Sequence, residues 1–121
     1  MQAKISPKIK KLIEQNPNAL ATVGAGNKPN VIAVAFVKVV SPKEILISDN
    51  FMKQTAKNLK SNKNVSIAVW DKGWKGCKIV GTASYYTTGK WFKYMQDMPE
   101  NKGLPAKGAI LVKVKGVWES K

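Results

Sequence analysis

The sequence has no histidine and no arginine, and its one cysteine is Cys77. Without histidine, an imidazole general base, a Ser-His-Asp triad, a Cys-His pair and a His-ligated zinc or haem are excluded. A lone cysteine forms neither an internal disulfide nor a multi-cysteine metal site. Acids are scarce: the seven are Glu14, Glu44, Asp49, Asp71, Asp97, Glu100 and Glu119, and only Asp97 and Glu100 lie close together. They offer little from which to build a carboxylate dyad or an all-oxygen cage, so no metal is expected. No apolar run approaches the ~20 residues that cross a bilayer, and the lysines of MQAKISPKIKK precede no apolar stretch. A cytoplasmic protein without a membrane partner is expected. With so few acid–base groups no catalytic side chain is assigned, and any reaction falls to a bound cofactor.

What the chain does have is lysine. All 21 of its basic residues are lysines, for a net charge of +14. Such a surplus favours an anionic partner: nucleic acid, acidic lipid or a phosphorylated small molecule. The missing arginine argues against sequence-reading DNA binding, because arginine makes the better bidentate fork on guanine. At 121 residues, 44% apolar and 23% charged, the chain reads as one globular domain over 1–121.

Ser6 and Pro7 form an N-cap and a first helical position, followed by a helix with Ile5, Ile9, Leu12 and Ile13 on one face. Strand patterns follow over 19–23, 30–40 and 44–48, separated by Gly24-Ala25-Gly26-Asn27-Lys28-Pro29 and Ser41-Pro42-Lys43 turns. Three such strands in succession predict an antiparallel meander. Apolar spacing then changes to helical over 50–62, through Met52, Thr55, Ala56 and Leu59. Strands over 64–70 and 77–87, a helix over 90–98 and a strand over 109–118 complete the chain. The predicted fold is mainly β: a six-stranded antiparallel barrel, closed or nearly so, with two or three helices.

The stretch Ile45-Leu46-Ile47-Ser48-Asp49-Asn50-Phe51-Met52-Lys53-Gln54-Thr55 is a buried strand running into a helix whose first turn holds Lys53, Gln54 and Thr55 and no acid. Amides at a helix start are unpaired and the dipole there is positive, so a lysine in that turn is misplaced unless an anion lies near it. Amides, an ammonium, a side-chain amide and a hydroxyl are the elements of a phosphate pocket. A chain with 21 lysines also places some in first turns without any ligand, so local chemistry leaves both readings open. Neither a Walker loop nor a Gly-x-Gly-x-x-Gly fingerprint is present.

The order of elements over about 5–118, with Ala19-Leu20-Ala21-Thr22-Val23, Gly26-Asn27-Lys28-Pro29-Asn30-Val31, Lys53-Gln54-Thr55-Ala56-Lys57-Asn58-Leu59, Asn64 to Trp70 and Gly81-Thr82-Ala83, resembles the pyridoxamine 5′-phosphate oxidase-like FMN-binding split-barrel proteins, in particular their short single-domain members. The resemblance implies a split barrel and a homodimer with flavin sites at its interface. It places the FMN phosphate at Lys53, Gln54 and Thr55, with Lys53 and Thr55 at the rim and Asn58 assisting one turn on. It sets Ala33, Val34 and Ala35 along the ring, and Ser48 and Asp49 beside it from the neighbouring strand. Trp74, Lys75, Gly76, Cys77 and Trp118 are the candidates to enter from the partner subunit, and Lys75 and Lys78 are further neighbours of the ring. By its own chemistry Cys77 reads as a small buried hydrophobe.

The full-length oxidases bring arginine and histidine to their substrate, and this chain has neither. The expectation is therefore an FMN-dependent oxidoreductase or electron carrier with an unassigned small-molecule substrate, no specific nucleic acid, and FMN held without covalent attachment. The competing expectations are a basic β-barrel binding single-stranded nucleic acid by aromatic stacking and a lysine groove, and a dimer of the same fold without cofactor.

Overall fold

The computed structural model describes residues 3–120 of the predicted domain. Helix α1 (Pro7–Gln15) is followed by strands β1 (Asn18–Val23), β2 (Pro29–Val34), β3 (Val37–Ser41) and β4 (Glu44–Asp49). Helix α2 (Gln54–Ser61), strands β5 (Asn64–Trp70) and β6 (Gly76–Tyr86), helix α3 (Gly89–Gln96) and strand β7 (Gly108–Ser120) complete the order. Short 3-10 turns lie at Ala25–Asn27 and Pro99–Asn101. Among the described residues no helix is long and apolar enough to cross a membrane.

The strands form one antiparallel sheet in the order β2-β1-β5-β6-β7-β4-β3. Its outermost strands, β2 and β3, are joined by Ala35 and Phe36 alone. Three extended residue steps reach no more than roughly 11 Å. The sheet therefore curls until its two edges approach, and because β2 and β3 share no ladder the barrel is split. A register shift between Val80 and Gly81, where β6 meets β7, supplies part of the bend.

Two sequence-based expectations are corrected here. There are seven strands, not six, because the run over 30–40 breaks at Ala35 and Phe36. Nor do the first strands form a continuous meander: β1–β2 and β3–β4 are hairpins, but they lie at opposite ends of the sheet, with β5, β6 and β7 between them. Alternating polarity reports pairing faces and says nothing of which edge a strand joins.

The interior is aliphatic. Leu20, Ile45, Ile47, Ile67, Ile79, Ile110 and Val112 point inward from β1, β4, β5, β6 and β7, and α1 covers the group with Ile9 and Ile13. Burying each such side chain contributes about 1.5–3 kcal/mol. Strand β4 is buried on both faces, because Leu46 packs outward against Met95, Met98 and Leu111 beneath α3. This is why the Ile45–Ile47 run shows no alternation. Helix α1 starts as read, with Ser6 Oγ accepting from the Ile9 amide at 3.2 Å. Near its end Glu14 Oε2 accepts the Val39 amide at 2.8 Å, satisfying a donor of edge strand β3.

Candidate functional site

The site begins where β4 ends. Asp49 is fully buried, and its carboxylate accepts the Met52 amide at 2.8 Å and the Tyr85 hydroxyl. Its turn holds residues 50–53 out of the helix, so α2 begins at Gln54 rather than at Asn50 as the spacing predicts. Lys107 fastens the same turn to the start of β7: its amide donates to Asp49 O at 2.8 Å and its ammonium to Met52 O at 2.8 Å. That ammonium also lies 3.8 Å from the Asp49 carboxylate. Burial, and then the bond to Asp49, push the Tyr85 phenol well above its ordinary range, so it remains a hydrogen-bond donor.

Helix α2 then starts without a cap. Lys53 occupies the N-cap position with φ −123° and ψ −69°, makes no capping bond, and is followed by no acid in the first turn. The Lys57 amide donates to Lys53 O at 3.1 Å, which leaves the amides of Gln54, Thr55 and Ala56 without helical acceptors. A missing cap costs about 1 kcal/mol, and the exposed Lys53 adds positive charge where the dipole is already positive. An anion resolves both conflicts.

Behind this turn lies a polar network that the sequence pattern leaves unread. Thr55 Oγ1 accepts from Asn30 Nδ2 at 3.1 Å, Asn58 Oδ1 accepts from Gln54 Nε2 at 2.7 Å, and Asn58 Nδ2 donates to Thr22 Oγ1 at 3.0 Å. Gly24 accommodates it, since a Cβ there would lie 2.5 Å from Asn58 Oδ1. Because Thr55 accepts from Asn30, its own proton is free to donate. Thr55 is 1% exposed and does not sit at a rim, and Asn58, 2% exposed, braces Gln54 and Thr22 instead of facing outward.

The uncapped turn opens onto a cleft of about 480 Å³, within the ~300–1,000 Å³ usual for cofactor sites. Residues 32–36, Ser48, residues 50–55 and Leu104 line it. The cleft thus gathers Ala33, Val34, Ala35, Ser48, Lys53, Gln54 and Thr55, which the family resemblance placed in one site. Asp49 and Asn58 do not line it; they lie behind its wall. Ile32, Phe36, Asn50, Phe51, Met52 and Leu104 line the cleft without having been read as site residues. Phe51 and Met52 sat inside the quoted stretch, whereas Leu104 lies in a loop with no periodicity to point to it.

Trp74, Lys75, Gly76 and Trp118 lie elsewhere, around the β5–β6 hairpin, and share no lining residue with the cleft. Asp71 Oδ1 accepts the amides of Gly73 at 2.8 Å and Lys75 at 3.0 Å, and this loop holds Trp74 outward at φ +64°. The Trp74 ring stacks on Trp70, centroids 6.4 Å apart and 7° from parallel, and Lys78 Nζ stands 4.7 Å over Trp118. Gly76 is buried for a reason of packing, since a Cβ there would strike the Val69 carbonyl. Cys77 is also buried; desolvation, and then Glu119, push its thiol up to about 11, and it is an inert core residue. Among the described residues no group of His, Cys, Asp and Glu could hold a metal.

The uncapped helix start thus lies at one end of a largely apolar cleft. An uncharacterised protein of Methanocaldococcus jannaschii is 29% identical over 98% of this chain and 82% of its own. Among solved structures, HupZ of Group A Streptococcus superposes with a TM-score of 0.88 at 24% identity, over 95% of this chain and 93% of that one. An FMN-binding protein of Syntrophomonas wolfei gives 0.78 at 19% identity, over 94% and 84%, and an F420 reductase 0.72 at 19%, over 94% and 98%. At these identities the structures establish the shared fold. The family model for pyridoxamine 5′-phosphate oxidase matches residues 5–121, and the chain belongs to that family.

Proposed function

We propose that the chain binds FMN in this cleft, as a homodimer, and acts as a small oxidoreductase or electron carrier. The observation that carries the reading is the uncapped, acid-free start of α2 opening onto an apolar cleft. Lys53, the amides of Gln54 to Ala56 and the Thr55 hydroxyl would hold the phosphate, while Ala33, Val34 and Ala35 present a wall low enough for a flat ring. When bound, the flavin supplies hydride or electron transfer. The Ser48 hydroxyl accepts from Asn101 Nδ2 at 2.8 Å, so its proton is available to an acceptor in the cleft. The likeness to an FMN-binding protein supports FMN, and the likeness to an F420 reductase makes a deazaflavin the alternative ligand to test.

Trp74, Lys75 and Trp118 form an exposed aromatic and basic surface on the same fold. In the proposed dimer it is this surface of the second copy that completes the site. Oxidation of pyridoxamine phosphate itself is not part of the proposal, since the chain has no arginine or histidine with which to hold that substrate.

The test is the absorbance spectrum of the purified protein, mass spectrometry of any released ligand, and titration of the apoprotein with FMN, FAD and deazaflavin. A yellow protein releasing FMN, or an apoprotein that prefers FMN, supports the reading. Preference for the deazaflavin reassigns the cofactor, and an apoprotein that binds none of the three overturns the flavin site.

A further inference from the structure

One wall of the cleft comes from the connection between α3 and β7. Residues 97–107 join α3 to β7, and Leu104 is the residue of that loop lining the cleft. The loop is held by buried amides and not by apolar packing alone. Asn101, 3% exposed, donates through Nδ2 to Ser48 Oγ at 2.8 Å and to Met95 O at 2.7 Å, and its Oδ1 accepts from Asn50 Nδ2 at 3.0 Å. Asn50 Oδ1 in turn accepts the Ala106 amide at 2.8 Å.

Leu104 sits between these fixed points. Its own amide donates to Asn101 O at 2.9 Å, and the backbone turns through positive φ at Gly103, +82°, and Ala106, +47°. A buried amide network with every group paired specifies one arrangement, and a partly broken one is costly. The network also joins the loop to Ser48 and Asn50, which themselves line the cleft. Other bulky groups also line the cleft: Ile32 and Phe36 belong to the β2–β3 side, Met52 to the turn before α2, and Phe51 is 72% exposed and free to turn away, whereas Leu104 comes from the opposite connection and is half-buried in a pinned loop.

We propose that Leu104, held in place by Asn101, is a specificity-determining residue of the cleft, limiting the ring system admitted beside Ala33 and Ala35. The inference rests on the reading of the cleft as a flavin site and adds to it the residue that sets its width. Asn101 is a positioning residue: it acts through Leu104 and Ser48. Leu104 acts on the ring and Lys53 on the phosphate, so the two separate by ligand.

The experiment titrates the full chain and its variants with riboflavin, which lacks the phosphate, and with FMN. Leu104→Trp is expected to weaken both ligands at least tenfold and by the same factor. Lys53→Ala is expected to weaken FMN and leave riboflavin unchanged. In an Asn101→Ala background, where the loop is released, the Leu104→Trp penalty is expected to fall below threefold. Should Asn101→Ala fail to fold, Leu104→Ala supplies the second arm, with an 8-substituted, bulkier FMN gaining affinity relative to FMN. Leu104→Trp binding both ligands like the parent overturns the inference while leaving the flavin site standing, and so does a penalty unchanged by the loss of Asn101. A parent chain that binds neither flavin overturns the proposed function and this inference with it.

Discussion

Asn30 on β2 donates to Thr55 on α2 at 3.1 Å, across 25 residues of sequence, so the hydroxyl in the uncapped first turn of α2 is oriented by the strand that lines the cleft. The relationship ties the proposed phosphate end to the proposed ring end. Replacing Thr55 with valine keeps the volume and removes the acceptor. Thr55→Val is expected to lower stability by about 1 kcal/mol, the net worth of one hydrogen bond, because Asn30 is only half-buried and also reaches Thr22 Oγ1 at 3.5 Å, and to weaken FMN about tenfold. Chemical denaturation and flavin titration measure the two effects.

Lys53 is exposed and braces nothing. Lys53→Ala is therefore expected to leave the melting temperature unchanged within about a degree, since surface substitutions usually stay within ±0.5 kcal/mol. FMN affinity should fall, and fall less steeply with added salt than in the parent. A variant that binds FMN like the parent at low salt removes Lys53 from the site.

Tyr85 donates to the fully buried Asp49. Tyr85→Phe leaves that carboxylate one donor short and is expected to cost about 2 kcal/mol, as for hydrogen bonds to charged groups. The phenol also has a pH signature. Its folded value is raised, so the folded chain holds the proton more tightly than the unfolded chain, and the stability this provides is intact below the unfolded value of ~10. Stability should therefore decline as pH rises beyond ~10, more steeply in the parent than in Tyr85→Phe. Equal slopes in alkaline urea titrations would disprove the coupling.

The Cys77 thiol, raised to about 11, gives a second alkaline readout. An aromatic disulfide reagent at pH 8 should label it only as fast as the chain opens. Reaction at the rate of a free thiol would show the β5–β6–β7 surface to be loose in solution.

Trp74 is 75% exposed and Trp118 38% exposed. Trp74→Ala with Trp118→Ala is expected to shift the protein from dimer to monomer in sedimentation, and to weaken FMN without altering the circular dichroism of the barrel. A parent that sediments as a monomer with and without FMN would sink the dimeric part of the proposal.

Much of this was legible because local chemistry agreed with the fold. Ser6 and Pro7 announced α1, the turn at 24–29 announced the β1–β2 hairpin, and the acid-free Lys53-Gln54-Thr55 turn pointed to the end of the cleft. What escaped depended on distance along the chain. The β1–β2 register pairs Thr22 with Asn30, but their partners Asn58 and Thr55 come from a helix more than 20 residues away. Asp49 was set beside the ring by the family resemblance; strand alternation sends it the other way from Ser48, to Tyr85 and Lys107. Asn101 and Leu104 gave no signal, since a polar loop with Pro105 reads as a surface connection whether or not its amides are buried.

The two-residue link between β2 and β3 has a kinetic corollary. Neighbours in sequence end up at opposite margins of the sheet, and β7 is the strand that joins the β3–β4 hairpin to the remainder. Closing so non-local an arrangement is slow. During synthesis the sheet cannot close until β7 has left the ribosome, and a chain truncated before Gly108 would emerge with its two hairpins tied by Ala35 and Phe36 but by no strand ladder.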